Sequence, residues 1–230
     1  MWPITLLPGL ACDAALWRDQ VAALAPQRTV RVSDVHERFA TLPQMAAALL
    51  AEQAGELLLC GTSMGGMLAL ELLRQAPQRV KALALLASSA RPDTPELMQL
   101  RSDAIALFEQ GRMREVLQAN VAFAFDPAHA QALVPAYLAM IERAGAAQLI
   151  AQNRAVMARA DARGLLPHIT CPTLLVCGAS DLLTPPECSL EMAAAIPGSR
   201  LEIIPQCGHM LTWEQPARVN ALLIDWLAGL

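Results

Sequence analysis

The sequence predicts an α/β fold, a parallel sheet covered by helices on both faces, and three observations predict it. Apolar runs of strand length alternate with stretches of helical period over most of the chain. The run Leu57–Cys60 shows no polar alternation, as expected of a central strand buried on both sides. A chain of 230 residues is long enough for one sizeable core, and too short for two full domains of ordinary size.

The elements follow in order. Ile4–Leu7 reads as the first strand, and Asp13 can cap a helix that sets Trp17, Val21 and Leu24 on one face at spacings of four and three. Thr29–Val35 is the next expected strand, and a helix from about Pro43 turns Met45, Leu49 and Leu50 inward. After the strand at Leu57, Gly65–Gln75 reads as a helix and Val80–Leu86 as a strand. The alternation then stops. From about Arg91 to Leu165, Ala-, Leu-, Met- and Gln-rich segments read as three or four consecutive helices. The expected division is therefore a core made of residues 1–90 and 166–230, with a helical cap inserted at 91–165. Thr173–Cys177 resumes the strands, and Thr184-Pro185-Pro186-Glu187 reads as a capping box opening a helix. Leu201–Ile204 is the last strand. Thr212-Trp213-Glu214-Gln215 is a second capping-box pattern, leading a helix whose Val219, Leu222, Leu223 and Trp226 face the sheet.

Composition narrows the function classes. Hydrophobic residues make up 55% of the chain, yet no run of 18 apolar residues occurs, so no membrane span is expected. Met1-Trp2-Pro3-Ile4-Thr5 lacks the basic opening of a secretory signal, which points to a cytoplasmic protein. Seventeen basic against twenty-one acidic residues, without a Lys/Arg cluster, argue against a nucleic-acid partner. The six cysteines form no C-x-x-C pair, and neither disulfides nor a bound metal are expected.

Gly61-Thr62-Ser63-Met64-Gly65 fits G-x-S-x-G between an apolar strand and a helix. A serine on so sharp a turn needs neighbours without side chains, which accounts for both glycines. A nucleophilic Ser63 requires a base and a carboxylate to orient that base. His209 follows the last strand and so projects from the same sheet edge as Ser63; His36, His129 and His168 fall elsewhere and read as packing or surface residues. Asp181 lies in the short loop after Thr173–Cys177, giving the chain order Ser63, Asp181, His209, with Asp93 as the reserve acid. The oxyanion donors are expected to be the backbone N–H groups of Met64, at a helix N-terminus, and Leu10, in the loop after the first strand. Cys12 sits near them without a base placed beside it.

These motifs resemble the α/β-hydrolase superfamily, and within it the small cap-bearing esterase and lactonase branch. Leu6-Leu7-Pro8-Gly9-Leu10 looks like the oxyanion strand and loop, Gly61–Gly66 like the nucleophile elbow, Gly178-Ala179-Ser180-Asp181 like the acid turn and Gly208-His209 like the histidine loop. Three departures stand out: Pro8-Gly9 replaces the usual His-Gly, Asp34–Arg38 lacks a glycine-rich turn, and no sequence precedes Met1 to form the usual opening hairpin. A six-stranded, all-parallel sheet is therefore expected.

The resemblance implies a serine hydrolase that needs no cofactor and cleaves a small-molecule ester or lactone through an acyl-enzyme. With the base neutral, activity is expected to rise with pH through the range of an ordinary histidine, about 6 to 7. Phe108, Phe123, Phe125, Tyr137 and Met140 are candidate substrate-binding residues of the cap. Residues 92–165 hold seven arginines and eight acidic residues, a near balance that favours small to medium, fairly apolar substrates. The same triad also serves carbon–carbon bond hydrolases, cofactor-free perhydrolases and acyltransferases, and a ligand receptor on the same scaffold is an alternative of a different class.

Overall fold

The computed structural model describes residues 2–230. Six strands, all parallel, form one sheet in the order β2-β1-β3-β4-β5-β6. They span Ile4–Leu7 (β1), Val30–Val32 (β2), Leu57–Thr62 (β3), Val80–Leu86 (β4), Thr173–Gly178 (β5) and Arg200–Ile204 (β6). The helices are Arg18–Leu24 (α1), Val35–Arg38 (α2), Leu42–Glu52 (α3), Met64–Gln75 (α4), Pro95–Glu109 (α5), Met113–Asn120 (α6), Pro127–Met157 (α7), Pro186–Ala195 (α8), Leu211–Glu214 (α9) and Pro216–Ala228 (α10).

Successive residues of the central strands enter opposite cores, which is why these strands read as unbroken apolar runs. Leu58 and Cys60 of β3 pack with α1 and α10, whereas Leu57 and Leu59 pack with α3 and α4. Thr5, Thr62 and Thr173 are the buried polar exceptions, and the Thr5 hydroxyl donates to Gln53 Oε1 at 2.8 Å. The edge strands β2 and β6 carry Arg31, Arg200 and Glu202 on exposed or half-buried positions, a charge pattern that discourages further strand pairing.

Three boundaries differ from expectation, one being the helix expected to open at Thr212, which begins at Pro216 after α9 and has no side-chain cap. β2 is three residues long rather than reaching Val35, because its only partner, β1, supplies pairing as far as Leu6–Val32, after which the Ser33 amide closes onto the Leu6 carbonyl at 2.9 Å. Asp34 then leads into α2, which buries Val35 and His36. The helix expected from Thr184 begins at Pro186, and no side chain caps it.

Between β4 and β5 the chain is helical, with α5, α6, a 3₁₀ turn at Val121–Ala124 and α7 in succession. α7 is interrupted at Gly145, whose φ of 77° and ψ of 169° break the helix into two segments. Among the described residues no helix is long and apolar enough to cross a membrane.

Candidate active site

Ser63 stands between β3 and α4 with φ 53° and ψ −119°, a left-handed conformation that a side chain adopts only under constraint. The constraint is visible in its glycines. A Cβ on Gly61 would strike the Gly65 backbone, and one on Gly65 would strike the Leu7 carbonyl. Gly66, the least explained residue of the motif, leaves room for Ser88, whose hydroxyl donates to the Ser63 carbonyl at 2.8 Å. The turn is thus held from β1 and from the end of β4.

Asp181 and His209 come from the ends of β5 and β6. His209 Nδ1 lies 3.0 and 2.9 Å from the two Asp181 carboxylate oxygens. Asp181 is buried and accepts further bonds from the Leu183 and Thr184 amides and the Thr184 hydroxyl, each at 2.9 Å. Burial alone would raise its carboxyl, but the facing His209, their hydrogen bond and the Thr184 donors outweigh that effect and hold it below the usual carboxylate value. Asp181 therefore remains an anion able to fix the His209 ring with Nδ1 toward it and Nε2 free to face the cavity.

Ser63, His209, Leu10 and Met64 line one cavity of about 390 Å³. The amides of Leu10 and Met64 have no hydrogen-bond acceptor among the described residues, and the Met64 amide opens α4, where the helix dipole adds to its pull on an anion. Gly9 brings the loop against the serine, since a Cβ there would lie 3.4 Å from Ser63 Cβ. Cys12 also lines this cavity, but burial above all, with Asp13 nearby, pushes its thiol up to about 12, leaving it protonated near neutrality.

The other candidates separate by position. Asp93, the reserve acid, has a buried side chain paired with Arg101 and Arg159. His36 is buried with Nε2 2.7 Å from the Cys12 carbonyl, His129 Nε2 lies 3.2 Å from the Gln206 carbonyl, and His168 lines a different cavity. Of the aromatic and methionine residues expected to touch substrate, Phe108, Phe123 and Tyr137 line the cavity. Phe125 and Met140 do not; both are core residues, and Phe125 stacks edge-on behind Tyr137 with ring centroids 5.3 Å apart. Helical periodicity marks an apolar face without saying whether substrate or core meets it.

Several residues that support the site escape a motif reading. Thr184 looks like a helix cap in sequence, yet its hydroxyl serves Asp181 and lies 3.3 Å from His209 Nδ1. Its one signal is the Asp-x-x-Thr spacing. Glu214 lies inside a capping-box pattern bracketed by Thr212 and Gln215 and has no role in it, yet Oε2 accepts from the Gly208 amide at 2.9 Å and the Asp126 amide at 2.8 Å, tying the histidine loop to the start of α7. Gly208 has no room for a Cβ because the Phe125–Asp126 backbone lies against it. Gln152 of α7 accepts from the Ala11 amide at 2.6 Å and donates to the His36 carbonyl at 2.8 Å, with no sequence signal at all.

The strand order, the strained serine turn and the carboxylate-bound histidine at one sheet edge define a class of fold, and comparison with known proteins names it. Residues 3–216 match the alpha/beta hydrolase fold family, to which the chain belongs. The proposed carbamate hydrolase RutD of Klebsiella pneumoniae subsp. pneumoniae is 30% identical over 255 aligned positions, covering 100% of this chain and 94% of that protein. A thermophilic esterase from Thermogutta terrifontis superposes with a TM-score of 0.87 at 26% identity, over 100% of this chain and 90% of its own. The enol-lactonase of Burkholderia xenovorans LB400 gives the same TM-score at 25% identity, over 98% of this chain and 91% of its own. The family and these relatives make the chain a hydrolase.

Proposed function

We propose that the protein is a serine hydrolase that cleaves a carboxylic ester or lactone through an acyl-enzyme. What supports this reading most is one arrangement: a serine held at φ 53° shares a cavity with a histidine whose Nδ1 is fixed by a buried carboxylate. In the proposed cycle His209 Nε2 takes the Ser63 proton as Oγ attacks the carbonyl carbon. The Leu10 and Met64 amides stabilise the oxyanion, and Asp181 offsets the charge gained by the ring. The imidazolium then protonates the leaving alkoxide. Water, deprotonated by the same histidine, attacks the acyl-enzyme, and the imidazolium returns that proton to Ser63 Oγ as the acid is released.

Residues 91–165 act as a cap in this reading, since α5, α6, the Val121–Ala124 turn and α7 all contribute to the cavity wall. Leu100, Phe123, Leu182 and Leu183 are exposed at the cavity and give it an apolar mouth suited to an apolar substrate. We place the protein in the cytoplasm, where its six unpaired thiols would stay reduced. The likeness to RutD favours including a carbamate among the substrates tried, because its carbonyl would meet the same groups.

The test is turnover of p-nitrophenyl esters of increasing acyl length, with Ser63→Ala as control and labelling by a fluorophosphonate. Hydrolysis by the wild type, its loss in Ser63→Ala and stoichiometric label on Ser63 are expected. Activity that survives Ser63→Ala, or label on another residue, would overturn the assignment.

A further inference from the structure

The wall of the active-site cavity holds one unneutralised charge. Among the described residues that line it there is no aspartate or glutamate, and Arg101 of α5 is its one arginine or lysine. Two of the three guanidinium nitrogens are held in place: Nε donates to Asp93 Oδ2 at 2.7 Å and Nη1 to Asn153 Oδ1 at 2.8 Å. Asn153 is oriented for this by α7, where its Nδ2 donates to the Leu149 carbonyl at 2.8 Å. The Arg101 Nη2 group has no acceptor among the described residues.

Asp93 does not neutralise Arg101, because its other oxygen is 2.8 Å from Arg159 Nη1. Two guanidiniums share one carboxylate, which leaves a local surplus of one positive charge. The near balance of seven arginines and eight acidic residues over residues 92–165 conceals this surplus, since the acidic side chains of the segment do not line the cavity. The Arg101 side chain keeps 28% of its surface exposed beside Leu100, Ala104 and Val156, so its free Nη2 is open to solvent and to an entering anion that could take the place of water.

We infer that Arg101 is a specificity residue for a substrate bearing one carboxylate at the far end of an apolar chain whose ester or lactone carbonyl lies at Ser63. This deepens the ester-hydrolase reading and rests on it. A single free nitrogen fits one carboxylate oxygen, and one surplus positive charge matches one negative charge. Half-esters of dicarboxylic acids, and lactones carrying a side-chain carboxylate, have this chemistry.

The experiment compares the mono-p-nitrophenyl ester of suberic acid with its methyl p-nitrophenyl diester, which has nearly the same shape and no charge. In the wild type kcat/KM is expected to favour the half-ester by about tenfold or more, the gain typical of one charge-assisted hydrogen bond. Arg101→Gln is expected to erase that ratio and Arg101→Lys to keep part of it, with thermal unfolding confirming that both variants fold. A ratio near one in the wild type, or one that survives Arg101→Gln, overturns the inference. Turnover of neither ester would remove the ester-hydrolase reading and leave the charge to be read by binding. Calorimetric titration of octanoate should then give a Kd about tenfold weaker in Arg101→Gln than in the wild type. Equal affinity in the two proteins would remove the subsite as well.

Discussion

At the scale of single residues, the site depends on how completely Asp181 is satisfied. Three donors besides His209 reach its carboxylate, and two of them belong to Thr184. Under the proposed mechanism Ser63→Ala should lower kcat/KM by about 10⁴-fold or more while leaving the fold intact, as steady-state kinetics and circular dichroism would show. Thr184→Val keeps the amide donor and removes the hydroxyl. A hydrogen bond to a charged group contributes about 1.5 kcal/mol or more, so kcat/KM should fall about tenfold. The variant also has a signed consequence for acid stability. A carboxyl held below its unfolded value contributes stability that is present above that value, about 3.9, and is lost as pH falls through the depressed folded value. Without the Thr184 hydroxyl the folded value rises, so loss of structure in an acid titration from pH 5 to pH 2 should begin at higher pH than in the wild type. Identical titration curves would show that the hydroxyl does not stabilise the anion.

At the scale of elements, α9 and the loop before it show one carboxylate organising a turn. Glu214 Oε2 accepts two buried amides, while Oε1 has no hydrogen-bond partner. Burial raises its carboxyl above the usual value, and the two amide donors only partly counter this. A raised carboxyl reverses the sign found at Asp181: the stabilising contribution is present below the unfolded value and is lost as pH rises through the folded one. Glu214→Gln retains an acceptor for the two amides without an ionisable group. Its Tm relative to wild type should therefore improve between pH 4 and pH 7 by a few degrees, about 2–4 °C. A constant difference across that range would mean that Glu214 does not titrate there. Both capping-box patterns of the sequence fail at this scale for the same physical reason. A side chain that could cap its own helix has a better partner brought to it from elsewhere, Asp181 for Thr184 and the Pro205 and Gln206 carbonyls, 2.7 and 3.1 Å from its Nε2, for Gln215.

At the scale of the whole molecule, the inserted helices and the loop after β1 form one hydrogen-bonded unit. Gln152 reaches across 141 residues of sequence to Ala11 and across 116 to His36, and His36 returns to the Cys12 carbonyl. The Leu10 amide lies one residue from this clamp, so the proposed oxyanion donor is positioned by α7. Gln152→Leu should lower kcat about tenfold with little change in KM, because a displaced donor weakens the transition state more than the ground state. An equal change in KM with constant kcat would point to substrate binding instead. A second tie, Arg143 to Asp13 at 2.6 Å, lies on the surface and is expected to contribute less, within about 1 kcal/mol when removed.

The sequence by itself determined the class of fold and the three residues at its edge. Strand periodicity, the glycines around Ser63 and the placement of Asp181 and His209 after apolar runs are local features, and local sterics and burial carry them directly. The six-stranded, all-parallel sheet was expected from the family resemblance rather than from local features, and it is the sheet observed. Tertiary structure alone decided which apolar residues of the inserted helices face the cavity, assigning Phe108 and Tyr137 to it and Phe125 and Met140 to the core. It also decided the partners of Thr184, Glu214, Gln152 and Arg101. Each of these is a polar side chain whose best partner is distant in sequence or, like Asp181 for Thr184, outside the helix it was expected to cap. A buried polar group takes the strongest hydrogen bonds available in three dimensions, and periodicity along the chain carries no record of them.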